Sequence, residues 1–158
     1  MKIVDAGYEI LDPLNGEEIL KKIERVASYA QESTRYCNYN KSGDVAFIRP
    51  VFFEEDTPEM DNWLESCMRA EKTYNYLISE GRTPQEARSV LPNSLKTEVV
   101  MTANLREWRH FLSLRACGST GKPHPQMLEV AVPLLKELRE RVPVVFDDLE
   151  PMEWETVK

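Results

Sequence analysis

Residues 104–142, "NLREWRHFLSLRACGSTGKPHPQMLEVAVPLLKELRERV", predict two amphipathic helices joined by a loop. In both halves apolar side chains recur every three or four residues, which is the spacing of one face of an α-helix. The segment between them, "CGSTGK", favours a flexible inter-helix loop. It does not match a phosphate-binding P-loop, because proline follows Lys122 where that motif has serine or threonine. Pro133 should kink the second helix or mark its true beginning.

The chain upstream of these helices predicts short strands and further helices. The segments "MKIVDAGYEIL", "DVAFIRPVFF" and "LKTEVVMTA" have extended character, and Pro50 should end the second strand or confine it to a sheet edge. Apolar spacing from Glu17 to Ala30 predicts an amphipathic helix.

Capping residues indicate two more helices. The segment "DTPEMDNWLESCMRAEKTYNYLISEG" should begin near Pro58 and stop at Gly81. In "TPQEARSVLP" Thr83 is the predicted N-cap, and Glu86 completes a capping box. Together the elements predict an α+β fold in which helices dominate, with a small antiparallel sheet.

The composition indicates a globular protein and argues against several classes of partner. A chain of 158 residues, 42% hydrophobic and 30% charged, is long enough for one domain over residues 1–158. No apolar run approaches the roughly 20 residues that cross a bilayer. A net charge of −7 argues against nucleic acid as a partner, whereas the phosphate of a small ligand needs only a few local cations. The first residues lack a signal-peptide pattern, so we expect a cytoplasmic protein.

The cysteines and histidines give no sign of a disulfide framework or a metal site. Cys37, Cys67 and Cys117 are odd in number and form no CxxC pair, so reduced thiols are expected. His110 and His124 have no thiol or carboxylate at ligand spacing, and we therefore predict no metal.

One arginine interrupts the apolar face of the first quoted helix. Arg115 falls in the arc defined by Leu105, Trp108, Phe111 and Leu112. An unpaired charge buried there would cost several kcal/mol, so a partner is needed. Arg115 either interacts with the helix C-terminus, which is worth about 0.3–1 kcal/mol, or contacts a ligand. The opposite face has the pattern of a solvated surface and carries Arg106, Arg109, His110 and Ser113.

A polar run at residues 28–41, "SYAQESTRYCNYNK", has two interpretations. It is either the end of a helix that breaks into a loop, or a cluster of side chains that binds a ligand.

Two segments resemble the flavin-dependent thymidylate synthase family: residues 26–41, which contain the polar run, and residues 104–149. "ARSVLP" and the strand after it also match the middle of that family. The family signature is Arg-His-Arg, seven residues and Ser; this chain keeps Arg25 and Ser33 but has "IE" before that arginine. Family members usually have several dozen additional residues before the signature, including strands, so the chain resembles a form with an internal deletion.

The resemblance implies a nucleotide site. Ser33, Arg35 and Arg88 match positions that bind dUMP, the first two at its phosphate. Gln31 falls where many members have Glu, and Tyr36 lies near the nucleotide. A hydroxyl and two guanidiniums suit a phosphate because charge-assisted and bidentate hydrogen bonds are the strong ones.

The resemblance also implies catalytic and cofactor residues. Arg115 matches an arginine at the uracil ring, where it would stabilise developing negative charge as the catalytic residue. The positions that match the neighbourhood of FAD are Arg25, Asn104, Arg106 and His110.

The implied reaction converts dUMP to dTMP. Methylenetetrahydrofolate supplies a methylene group to C5, and FAD, recharged by NADPH, supplies the hydride. The family fold, here lacking some strands, assembles as a homotetramer. The alternative is an impaired paralogue or truncated form that binds a pyrimidine nucleotide without turnover.

Overall fold

The computed structural model describes residues 1–9, 27–39 and 45–153. Over these residues it contains short strands and longer helices, with helix predominating, which confirms the predicted α+β class. No helix in this part of the chain combines the length and apolar character needed to cross a membrane.

The described strands form two small sheets. Strand β1, Lys2–Val4, pairs with β3, Ala46–Ile48, and β2, Ala27–Gln31, pairs with β4, Val99–Ala103. Strands β1 and β3 run parallel, so the prediction of an antiparallel sheet is wrong for this pair. Parallel strands require a crossover connection, and β1 and β3 are far enough apart in the sequence to allow one.

Strand β2 corrects one helix prediction. The predicted helix from Glu17 included Ala27 and Ala30, which lie in β2. The earlier part of that prediction lies outside the described residues. Pairing with β4 outweighs the helical spacing of a few alanines, because tertiary context routinely overrides local pattern.

The chain divides into two compact units, and the first comprises Met1–Asp5 and Ala30–Val99. Its main helix, α1, spans Pro58–Ser79 and is capped by the Thr57 hydroxyl. The short helix α2, Pro84–Ala87, begins with the predicted capping box, and a turn of 3-10 helix follows at Arg88–Val90. The core of this unit consists of buried Tyr39, Val45, Phe47, Cys67, Tyr74 and Ala87.

The second unit comprises Ala6–Tyr29 and Val100–Lys158. It contains both helices predicted from residues 104–142, together with a short third helix. Its core is formed by Leu112, Ala116, Leu128, Ala131, Val132, Leu134, Leu135 and Phe146. The helices are α3 Leu105–Arg115, α4 Pro125–Arg141 and α5 Pro143–Phe146. The prediction of one domain over the whole chain stays a prediction.

Pro133 lies inside helix α4 and does not begin it. The helix starts at Pro125, after the His124 N-cap. It continues past Pro133 because the residues on either side of this proline are buried in the core. The alternative in which Pro133 marked the start of the helix is therefore wrong.

The loop between α3 and α4 packs against the end of the described chain. Gly118 has a φ of +68°, and a Cβ placed on it would lie 2.8 Å from Met152 Sδ. The Met152 amide donates to the Ala116 carbonyl at 2.9 Å. This close approach, together with a positive φ, explains why glycine occupies position 118.

Candidate functional site

Strand β2 of the polar run leads into a tight turn. The amides of Tyr36 and Cys37 both donate to the Ser33 carbonyl, at 3.0 and 3.2 Å. Just before the turn, Glu32 is fixed on both sides: its amide donates to the Glu98 carbonyl at 2.8 Å, and its carbonyl accepts from the Thr97 hydroxyl at 3.1 Å. These two hydrogen bonds therefore fix the end of β2, where the turn begins.

Two arginines that are distant in sequence meet at this turn. Arg88, in the 3-10 turn after α2, donates from Nη1 to the Thr34 hydroxyl at 2.9 Å. Arg35, in the turn itself, donates from Nε to Gln85 Oε1 at 2.6 Å. The structure therefore brings together Arg35 and Arg88, two of the residues proposed for nucleotide binding.

An open pocket lies beside Arg35. It has a volume of about 480 Å³ and is lined by Arg35, Tyr36, Thr83, Pro84, Gln85 and Glu86. The Tyr36 ring is 75% exposed, and its centroid lies 5.1 Å from Arg35 Cζ, which is within the range of a cation–π contact. Ser33 and Gln31 are also exposed nearby in the sequence. An anion with an attached ring could therefore reach cationic and aromatic groups together.

The one carboxylate that lines the pocket is held by the capping box. Glu86 Oε2 accepts from the Thr83 amide at 2.9 Å and from its hydroxyl at 3.0 Å. These hydrogen bonds, the backbone one first, lower the pKa of the Glu86 carboxyl. Its charge is therefore directed to the start of α2.

Arg115, the predicted catalytic residue, is not buried. It lies exposed in the last turn of α3, and its side chain makes no hydrogen bond or ion pair with the described residues. The buried face is narrower than predicted, since Leu105 is 50% exposed, and the long Arg115 side chain reaches water. This position supports the interaction with the helix C-terminus that sequence left open.

The cofactor candidates within the described residues do not form a flavin site by themselves. The Asn104 side chain caps α3 by accepting from the Glu107 amide at 2.8 Å. Arg106 and His110 are exposed. Arg25 lies outside the described residues, and the Arg-His pair that should precede it is absent from the sequence.

Arg109 has a structural role that the sequence pattern did not reveal. Although its face was predicted to be solvated, its guanidinium pairs with the Asp148 carboxylate and donates to the Val145 carbonyl at 2.6 Å. The hydrogen bond from Arg109 lowers the pKa of the Asp148 carboxyl. No local pattern could have indicated this pair, because the partner belongs to the segment after α5.

The thiols are poorly suited to nucleophilic catalysis. Burial raises the pKa of Cys37, Cys67 and Cys117, and a hydrogen bond to Glu32 adds to the effect at Cys37. Because the thiolate is the reactive form, these side chains are weak nucleophiles at neutral pH.

Comparison with known proteins agrees with the resemblance seen in the sequence. Residues 23–144 match the family model of the thymidylate synthase complementing protein. The flavin-dependent thymidylate synthase of Thermococcus kodakarensis is 33% identical over 129 residues, which cover 81% of this chain and 49% of that protein. The chain spans about half the length of this and several other curated relatives.

A second relative extends over more of the chain. The flavin-dependent thymidylate synthase of Corynebacterium aurimucosum is 34% identical over 171 residues, which cover 92% of this chain and 67% of that protein. This alignment is longer than the 158-residue chain, so the relative contains residues without a counterpart here, as a chain with an internal deletion would show.

A solved structure shows the same fold. The UMP/dUMP methylase PolB from Streptomyces cacaoi, bound with 5-Br dUMP, superposes with a TM-score of 0.62 at 24% identity, over 83% of this chain and 63% of that one. The family match extends over most of the sequence and through both helices of residues 104–142. The chain therefore belongs to the thymidylate synthase complementing protein family.

Proposed function

We propose that the first unit binds a pyrimidine nucleoside 5′-monophosphate, with dUMP as the expected ligand. The observation that carries this proposal is the meeting of Arg35 and Arg88 at the turn that begins at Ser33. The curated relatives are named as thymidylate synthases, and PolB is described as a UMP/dUMP methylase with a brominated dUMP bound. Family and local geometry support the same class of ligand.

The chemistry of the turn suits a phosphate monoester. Such a group carries between one and two negative charges at neutral pH, and two guanidiniums can neutralise it. Ser33 would add a hydroxyl donor, and Tyr36 and Gln31 would lie toward the nucleoside. Net repulsion from a chain of charge −7 does not prevent this, because the local cations are close to the ligand and distant charges are screened.

A wider activity, reductive methylation of dUMP to dTMP, is the second candidate, and family membership favours it. In that reaction methylenetetrahydrofolate would donate the carbon, and NADPH would supply the hydride through FAD. Arg115 would stabilise charge on the pyrimidine, in a cytoplasmic homo-oligomer that is a tetramer by resemblance. This activity has less support than nucleotide binding, because the Arg-His pair of the family signature is absent from the sequence and Arg25 lies outside the described residues. A form that binds the nucleotide without turnover is the alternative.

Calorimetric titration with dUMP tests the nucleotide site. Wild-type protein should bind saturably, and Arg35→Ala should weaken binding about 10- to 100-fold, the usual consequence of losing a charge-assisted hydrogen bond. Arg82→Ala is the matched control, because Arg82 is exposed and lies outside the turn. Absence of binding by the wild type, or equal binding by Arg35→Ala, would contradict the proposal.

Two further measurements separate turnover from binding. Release of tritium from C5-labelled dUMP, with methylenetetrahydrofolate and NADPH present, would support the methylation reaction. Protein that stays colourless after FAD is added and dialysed, yet binds dUMP, would favour the form without turnover.

A further inference from the structure

We propose that Gln85 and Thr34 are positioning residues that orient the two phosphate-binding arginines while leaving their positive charge uncompensated. The inference rests on the proposed nucleotide site and extends it to two side chains outside the predicted phosphate contacts. The two residues act through Arg35 and Arg88, which they contact directly.

Several arginines of the described residues have a side-chain partner. Arg35 and Arg88 differ from the others in the charge of that partner. Elsewhere the partner is a carboxylate, whereas Arg35 is bound by the neutral amide of Gln85 and Arg88 by the neutral hydroxyl of Thr34. The carboxylate-bound arginines are Arg49 with Glu55, Arg69 with Glu65, Arg109 with Asp148, Arg139 with Glu150 and Arg141 with Glu137. A neutral partner fixes a guanidinium without neutralising it, which is what an anion site requires.

The geometry leaves the donors that a phosphate would use. Gln85 occupies the Nε donor of Arg35, so both terminal nitrogens of that guanidinium remain available. Thr34 occupies Nη1 of Arg88, so its Nε and Nη2 edge remains available. Either edge can form the paired hydrogen bonds by which guanidinium groups bind oxyanions.

Both neutral partners are themselves held in place. Gln85 follows the N-cap of α2, where Thr83 and Glu86 exchange hydrogen bonds. Thr34 lies in the turn closed by the Ser33 carbonyl. Two arginines ordered before the ligand arrives lose less conformational entropy on binding, so the positioning contacts should contribute to affinity.

The neighbouring carboxylate, that of Glu86, does not compensate the charge on Arg35. Glu86 follows Gln85 directly, yet its side chain binds Thr83 and not Arg35. Placing a carboxylate at position 85 would pair it with Arg35 and compensate the charge on which the ligand depends.

Titration of dUMP into four variants tests this role. Gln85→Met and Thr34→Val keep the side-chain size but remove the acceptor, and each should weaken binding about 5- to 10-fold, as expected for loss of one contact to a charged group. Thr34→Ser retains the hydroxyl and should bind like the wild type. Gln85→Glu should bind more weakly than Gln85→Met at pH 7, because its ionised carboxylate would compensate the charge on Arg35.

The outcomes separate this inference from the proposed function. If the wild type binds dUMP but Gln85→Met and Thr34→Val bind as tightly, or if Gln85→Glu is no weaker than Gln85→Met at pH 7, the positioning role is wrong and the nucleotide site stands. If the wild type does not bind dUMP, both are wrong. A purely structural effect would lower the melting temperatures of Gln85→Met and Thr34→Val, and would not make Gln85→Glu bind more weakly than Gln85→Met.

Discussion

At the scale of single residues, Tyr74 connects α1 to the polar run. It is fully buried in the core of the first unit, and its hydroxyl accepts from the Tyr39 amide at 3.4 Å. The two rings pack edge to face with their centroids 5.9 Å apart. Burial raises the pKa of Tyr74 and, to about 12, that of Tyr39, so both phenols stay neutral at physiological pH.

Tyr74→Phe should lower the free energy of unfolding by about 1 kcal/mol, because it keeps the packing but leaves the Tyr39 amide without this acceptor. Urea denaturation followed by circular dichroism measures the change. Tyr76→Phe is the matched control, since Tyr76 lies on the same helix but is 61% exposed. Equal midpoints for the two variants would contradict the role assigned to the Tyr74 hydroxyl.

Residue pairs divide into those that sequence can predict and those it cannot. The capping box of Thr83 and Glu86 was predicted and is confirmed, because both partners lie within one helical turn. The contacts of Arg35 with Gln85 and of Arg109 with Asp148 follow no local spacing. These contacts depend on how distant segments pack. The sequence could therefore indicate Arg35 as a candidate binding residue, but not Gln85 as its partner.

At the scale of elements, the long helices could be predicted and strand β2 could not. Helices α1, α3 and α4 carry their own periodicity and their own caps. Strand β2 forms because β4, far along the chain, supplies its hydrogen-bonding partner. Helix α4 also shows tertiary packing overriding a local signal, since it continues through Pro133.

Pro133→Ala should raise the free energy of unfolding by about 1–3 kcal/mol. Proline inside a helix lacks the amide that would bond one turn back and crowds the preceding turn, and the exposed position of Pro133 lets alanine fit without opening a cavity. Thermal and urea denaturation measure the gain. Lys136→Ala, at an exposed position of the same helix, is the control, and an unchanged or lower stability of Pro133→Ala would contradict this account.

At the scale of the whole molecule, ionised carboxylates stabilise the folded chain in both units. Hydrogen bonds lower the pKa of Glu86 in the first unit and of Glu137 and Asp148 in the second, the largest contributions coming from Thr83, Tyr8 and Arg109 respectively. A lowered pKa means that the folded chain binds fewer protons than the unfolded chain in the acidic range. The stabilisation is therefore present above the ordinary carboxyl pKa and is lost as pH falls through the folded value.

The melting temperature should therefore fall with acidification below about pH 4.5, and Asp148→Asn should reduce that dependence. At pH 7 the same variant should melt at a lower temperature, because Arg109 loses its ionic partner. Glu140→Gln, an exposed position on α4, is the control for removing one negative charge. If the melting temperatures of Asp148→Asn and of the wild type change equally between pH 3 and pH 7, the ion pair does not contribute to stability as described.

Met152 packs closely over Gly118 and so couples the inter-helix loop to the segment that contains Met152. Because the Met152 amide bonds to Ala116 and its sulfur covers the glycine, the inter-helix loop cannot lift away without releasing the end of the described chain. Local opening of either segment therefore exposes both, and they share a single opening free energy. The loop was predicted to be flexible, yet the contact with Met152 restrains it at Gly118.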